Sequence, residues 1–167
     1  MNPIRVLIVE DSPVIQDFLK HIFNSDPGIR VVGTAANGAE AVEAVKTLRP
    51  SVVTMDINMP VMDGLEATRR IMEIAPTPIV IVSGNTIARE LSFTFRALEA
   101  GALQVVLRPS FGDLSGRCSA IQDLINTVRL MSEIKVVRRT NHPDPNHSGL
   151  GHPQDNMSTR PTDIQVV

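Results

Sequence analysis

Apolar and polar positions along the chain fall into two alternating patterns. Five short apolar runs, Ile4–Val9, Ile29–Ala35, Val52–Met55, Ile79–Val82 and Leu103–Leu107, have the length and character of buried strands. Between them, apolar residues recur at i, i+3 and i+4, the spacing that lines one face of a helix. The first such face takes Val14, Ile15, Phe18, Leu19, Ile22 and Phe23. Later ones take Ala41, Val42, Val45 and Leu48, then Leu65, Thr68, Ile71 and Met72, then Ala88, Leu91, Phe95 and Leu98. Phe93 lies to the side of that fourth face, as a second packing residue or a partner contact. A last helix carries Ile121, Leu124, Ile125 and Val128. Asp11 or Ser12 is placed to cap the first helix, and Pro13 suits its first turn.

Strict alternation of strand and helix predicts a parallel sheet with right-handed crossovers, and strands apolar on both sides require helices over both faces. The expected fold is α/β: a flavodoxin-like doubly wound (βα)5 with a five-stranded parallel sheet in strand order 2-1-3-4-5. Functional residues then belong at the carboxyl ends of the strands.

Composition narrows the function classes. Hydrophobic residues make up 43% and aromatics only 3%, which describes a core of Val, Ile, Leu and Ala. Lys and Arg number 16 against 18 Asp and Glu, so nucleic-acid binding has no global electrostatic support. Cys118 is the only cysteine, which rules out an intrachain disulfide, and nothing at the start reads as a signal peptide; a reducing cytoplasm is the expected compartment. The longest apolar runs, such as Ile79–Val82, fall far short of the ~20 residues that span a bilayer, so no membrane insertion is expected.

After about Thr140 the pattern stops. Asn, His, Pro, Asp, Gly and Ser take over, with Pro143, Pro145, Pro153 and Pro161 spread among them. The expected organisation is a folded domain over 1–131, a helix extension and disordered linker over 132–162, and the start of a second domain over 163–167, where Ile164-Gln165-Val166-Val167 turns apolar again. His142, His147 and His152 lack the close spacing of a metal site and read as linker composition.

The candidate chemistry is acidic. The first strand ends in Glu10-Asp11 and the third in Asp56, so three carboxylates converge at the top of the sheet, where unpaired they repel. A hard divalent cation resolves this, and Mg2+ favours a few oxygen ligands completed by water or phosphate. The expected set is Glu10, Asp11, Asp56 and Asn58, the last through its backbone carbonyl and Glu10 through a water. Taken singly, each acid has a plainer use as a helix cap or a solvated side chain. The loop Asp56-Ile57-Asn58-Met59-Pro60-Val61-Met62-Asp63-Gly64 is expected to be tight, with Pro60 restricting Met59 and Gly64 free to take φ > 0, and to present Asp56 as a nucleophile. Ser83, next to Gly84 after the fourth strand, brings a hydroxyl able to donate to a phosphoryl oxygen; alone, such a pair is an ordinary turn. Arg108, before Pro109, brings a positive charge; alone, it is an ordinary solvated side chain.

As a set, Glu10-Asp11, Asp56, Met59-Pro60-Val61-Met62-Asp63-Gly64, Ser83 and the basic-Pro pair at 108–109 resemble the receiver domains of two-component response regulators, over residues 4 to about 130. Val31-Val32-Gly33-Thr34-Ala35-x-Asn37-Gly38, Met59 to Ala67 and Pro76-Thr77-Pro78 are most similar to the regulatory domain of chemotaxis-receptor protein-glutamate methylesterases. The resemblance implies that Asp56 takes a phosphoryl group from a histidine kinase with Mg2+, and that Ser83 and Arg108 contact it. It also implies a shape change over the fourth helix, fifth strand and fifth helix. It further implies a linked methylesterase domain, whose catalytic serine, histidine and aspartate this segment lacks. Two positions depart from the family: Arg108 stands where lysine is usual, and Val105 where an aromatic is usual. Arginine keeps the charge but is longer and forked, and valine has no ring to swing, so a receiver that phosphorylates but signals differently is expected.

Other readings fit less well. An Asp-nucleophile phosphatase commonly needs a second carboxylate where Asn58 stands, and a flavin binder would have to hold a phosphate against Glu10-Asp11. A standalone adaptor receiver with an atypical or weakened switch is the alternative to a methylesterase regulator.

Overall fold

A computed structural model describes residues 2–84, 91–110 and 114–138. Strands and helices alternate along them: β1 (Ile4–Val9), α1 (Pro13–Asn24), β2 (Ile29–Ala35), α2 (Gly38–Leu48), β3 (Val52–Met55), α3 (Gly64–Ile74), β4 (Ile79–Ser83), α4 (Leu91–Ala100), β5 (Gln104–Leu107) and α5 (Leu114–Ser132). The strands are all parallel, as the alternation requires, and lie in the expected flavodoxin-like order β2-β1-β3-β4-β5. β4 runs one residue further than its apolar run and takes in Ser83, while β5 starts at Gln104 rather than Leu103.

Side chains of each central strand alternate between two cores. Leu7, Val9, Val53, Met55, Ile79 and Ile81 face one way and meet Val42, Val45, Ile71 and Ala97 from α2, α3 and α4. Val6, Ile8, Val52, Val80 and Val82 face the other way and meet Phe18, Phe23, Leu124 and Val128 from α1 and α5. Burial on both sides is why these strands read as unbroken apolar runs.

Local signals set the helix starts. Asn37 accepts a hydrogen bond from the Glu40 N–H at 2.9 Å, and Glu40 reaches back to the Ala36 N–H at 2.9 Å, a reciprocal cap for α2. Asp63 caps α3 through the Glu66 N–H at 2.9 Å. Ser12 occupies the N-cap of α1 with Pro13 behind it, but its side chain makes no capping bond, and Asp11 does not cap.

Two helical faces differ from expectation. Val14 does not join the buried face of α1 and is 69% exposed, because the face closes over Phe18, Leu19, Ile22 and Phe23. On α4 the expected face is reversed: Phe93, Ala97 and Ala100 are buried, whereas Phe95 and Leu98 are exposed, Phe95 by 63%. Both stripes have helical spacing. The buried one carries two alanines, small enough for α4 to lie close against α3 and β5. Ala88 and the Leu91 side chain of the expected face are outside what is described.

α5 ends at Ser132, and residues 133–138 continue without helix along the base of the domain, where the Arg138 guanidinium donates to the Ile74 carbonyl at the end of α3 (3.2 Å). Residues 139–167, with the expected linker, its histidines and the restart at Ile164, lie outside the described residues.

Two of these contacts bear directly on stability. Thr54, on β3 between Ile8 and Val80, is 1% exposed, and its hydroxyl has no hydrogen-bond partner. Thr54→Val should raise unfolding stability by about 1–3 kcal/mol in urea melts, since the shape is kept and an unmet polar group is removed. Asp26, at the α1–β2 turn, accepts from the Arg129 guanidinium of α5 and from the Gly28 N–H, which hold its carboxyl below the usual range. A depressed pKa contributes stability above the unfolded value of about 3.9 and loses it as pH falls below that value. Arg129→Gln should therefore lower the melting temperature at pH 7, and that gap should close as the melts are repeated in increasingly acidic buffer.

Candidate functional site

The parallel register delivers the acidic residues to one place. Val9 and Met55 are paired at the ends of β1 and β3, and the Asp56 N–H donates to the Val9 carbonyl at 2.9 Å, so the residues that follow emerge side by side. Carboxylate oxygens of Glu10, Asp11 and Asp56 all lie within 4.8 Å of one another. Glu10 is buried, Asp56 half-buried and Asp11 exposed. The end of β1 is further fixed by Gln16 on α1, whose amide donates to the Glu10 carbonyl at 2.6 Å. No spacing or motif marks Gln16 in the sequence, because a glutamine on an amphipathic helix carries no signal of its own.

Arg108 enters from the far side. Its backbone N–H continues the β4–β5 ladder to the Ser83 carbonyl (2.9 Å), and its guanidinium pairs with the Glu10 carboxylate, Nη1 to Oε2 at 3.2 Å. The partners are 98 residues apart in sequence, so nothing local announces the pair. Asp56, Asn58, Ser83, Gly84 and Arg108 line a cavity of about 280 Å3 beside the acids. Ser83 is buried at its wall, and Asn58 is exposed at its rim. Val105 is half-buried on β5, in register with Ile81 and packed on the α4 side of the sheet.

The electrostatics are those of crowded negative charge. Burial first, and the Asp56 carboxylate second, raise the Glu10 pKa well above the usual carboxylate range, against the pull of the Ser12 N–H and the Arg108 guanidinium. Burial also raises Asp56, while the Ile57 N–H and Arg108 oppose it. Among the described residues one guanidinium stands against the cluster, paired with Glu10 and acting on Asp56, so the acids outnumber the bases there. The donors are all carboxylate oxygens, with the Asn58 carbonyl expected beside them, and such a set suits a hard divalent cation such as Mg2+.

The loop from Asp56 to Gly64 is held by its own backbone: the Gly64 N–H donates to the Ile57 carbonyl (2.9 Å), and the Met62 carbonyl accepts from the Gly38 N–H at the start of α2 (3.0 Å). The positive φ expected at Gly64 is found instead at Val61 (φ 68), which is 85% exposed. A β-branched residue there is strained by about 1–3 kcal/mol, and its side chain is turned out to solvent. Gly64 is required for a different reason. A Cβ on it would stand 2.0 Å from the Asp56 carbonyl oxygen, with backbone rather than a yielding side chain in the way.

The acids and the cavity lie at the carboxyl ends of the parallel strands. Residues 6–116 match the family described as the response regulator receiver domain, and the chain belongs to that family. Within it, the chain is similar to chemotaxis methylesterases. It is 57% identical over 136 residues to the protein-glutamate methylesterase/protein-glutamine glutaminase 1 of Syntrophus aciditrophicus, a match covering 81% of this chain and 39% of the relative. It is 53% identical over 136 residues to the corresponding protein of Nitrosospira multiformis, covering 81% and 38%. Thus the chain spans about two-fifths of the length of these relatives. Among solved structures it resembles the response regulator domain of Thermotoga maritima CheB, with a TM-score of 0.71 and 36% identity over 80% of this chain and 99% of that one. It also resembles the CheX-CheY-BeF3-Mg2+ complex of Borrelia burgdorferi, with a TM-score of 0.64 and 31% identity over 75% and 90%. No helix among the described residues is long and apolar enough to cross a membrane.

Gly64→Ala should destabilise the chain by about 3 kcal/mol in urea melts, because the added methyl must push the Asp56 carbonyl aside.

Proposed function

We propose that the chain is the phospho-acceptor switch of a two-component phosphorelay, with Asp56 taking a phosphoryl group from the phosphohistidine of a histidine kinase. The observation that carries this reading is the convergence of Glu10, Asp11 and Asp56 within 4.8 Å beside a cavity walled by Ser83 and Arg108. An Asp56 carboxylate oxygen attacks phosphorus, the P–N bond breaks as the P–O bond forms, and the imidazole leaves and is protonated from solvent. Asp11, Asp56 and the Asn58 carbonyl are the residues that would hold Mg2+, with Glu10 acting through a water. The ion, when bound, supplies positive charge against the developing charge of the transferred oxygens. The similar CheX–CheY complex of Borrelia burgdorferi contains both Mg2+ and BeF3, which supports the same pairing of cation and phosphoryl group here. Ser83 and Arg108 contact the phosphoryl oxygens, the hydroxyl as a single donor and the guanidinium as a fork.

The output is a shift in the population of two states across α4, β5 and α5. That face carries exposed apolar residues for a partner to cover, Phe95 and Leu98 on α4 and Leu107 on β5. Val105 cannot couple it to Ser83 by a ring swing, so the switch differs in kind from an aromatic one. The segment serves as the cytoplasmic regulatory part of a chemotaxis protein-glutamate methylesterase, a reading supported by its similarity to such proteins over 136 residues.

The test is phosphorylation of the purified chain by a small-molecule phosphodonor, read by intact mass. Addition of one phosphoryl group with Mg2+, little without it, and none in Asp56→Asn is expected. Equal addition in Asp56→Asn, or none in the native chain, would overturn the reading.

A further inference from the structure

β3 and β4 lie between β1 and β5 in the sheet, so the Arg108 side chain must cross the top of β4 to reach Glu10. The residue standing there is Gly84. A Cβ on Gly84 would lie 2.7 Å from the Arg108 Cζ and 3.2 Å from Nε, and would collide outright with Nη2. The guanidinium therefore lies in the space that any side chain at position 84 would fill. The arrangement answers the departure at 108: a planar fork on a long stem needs more clearance than the single ammonium of lysine.

We propose that Gly84 is a positioning residue, the notch that lets the Arg108 guanidinium reach Glu10, and that this pairing makes Arg108 a competitor of the divalent cation for the Glu10 carboxylate. The proposal rests on the reading of the site as a metal-dependent phospho-acceptor. Glu10 has a side chain only 3% exposed, and a buried carboxylate that loses one counter-charge needs another cation or a proton in its place. A cation bound at Asp11 and Asp56, with Glu10 reached through a water, provides that exchange and repels the guanidinium. Arg108 is then released on the side where Asp56 and Ser83 line the same cavity. Loading of the metal and delivery of Arg108 to a phosphoryl group become one coupled event.

A double-mutant cycle on the full chain tests this, with Mg2+ affinity measured by isothermal titration calorimetry for the native protein, Gly84→Ala, Arg108→Ala and the double variant. The group that Gly84→Ala displaces is the far end of a flexible side chain, so the variant should fold, and its thermal melt checks that it does. The methyl should tighten Mg2+ binding by about fivefold when Arg108 is present and change it by less than about twofold when Arg108 is alanine. Equal effects in both backgrounds, no effect in either, or weaker binding by Gly84→Ala would overturn the notch. Absence of Mg2+ binding in all four proteins would instead overturn the metal-dependent reading, and the proposal with it.

Discussion

The structure turns on a concentration of negative charge that the parallel sheet makes unavoidable. Adjacent strands running the same way release their last residues at the same edge, and here those residues are Glu10, Asp11 and Asp56. Burial raises the free energy of every unpaired charge there, and the fold meets it in part with one guanidinium brought across from β5. The surrounding sequence serves the same constraint: Gln16 fixes the end of β1, the Asp63 cap and Gly64 draw the loop after Asp56 tight, and Gly84 leaves room for Arg108. A site that carries more acids than bases on its own is one that favours the arrival of a cation.

Most of this is legible in the chain because its signals are local. The five strands can be read as apolar runs, since a strand buried on both faces has no polar alternation to confuse it, and their parallel pairing follows from the unbroken strand–helix rhythm. The acidic triad is legible because strand ends are. What cannot be read depends on distance or on competing faces. α4 offers two apolar stripes of equal periodicity, and only its packing on α3 and β5 selects the one with Ala97 and Ala100. Val14 satisfies the same helical rule as Phe18 but stands in the first turn of α1, outside the buried face, and is left to solvent. The Arg108–Glu10 pair joins opposite parts of the chain, so each residue can be suspected singly and the bond cannot.

The loop after Asp56 shows how a correct motif can carry a different cause. Glycine at 64 suggests conformational freedom, yet its role is spatial, a backbone passing closer to the Asp56 carbonyl than any Cβ allows. The unusual dihedral falls on Val61, a residue with every steric reason to avoid it, held there between the Pro60–Met62 turn and the Asp63 cap. The strain is thus stored in the loop that follows Asp56, held by the surrounding backbone bonds and cap rather than by Val61 itself.

Arg138 gives the domain a polarity that its symmetric layering hides. By donating to the end of α3, it ties the chain that leaves α5 to the opposite end of the domain, a four-residue strand of about 13 Å from the edge that carries Asp56. The point from which the chain departs is thus anchored at the pole opposite the chemistry. A pull on the backbone beyond residue 138 is therefore taken up first at the end of α3, away from the three acids.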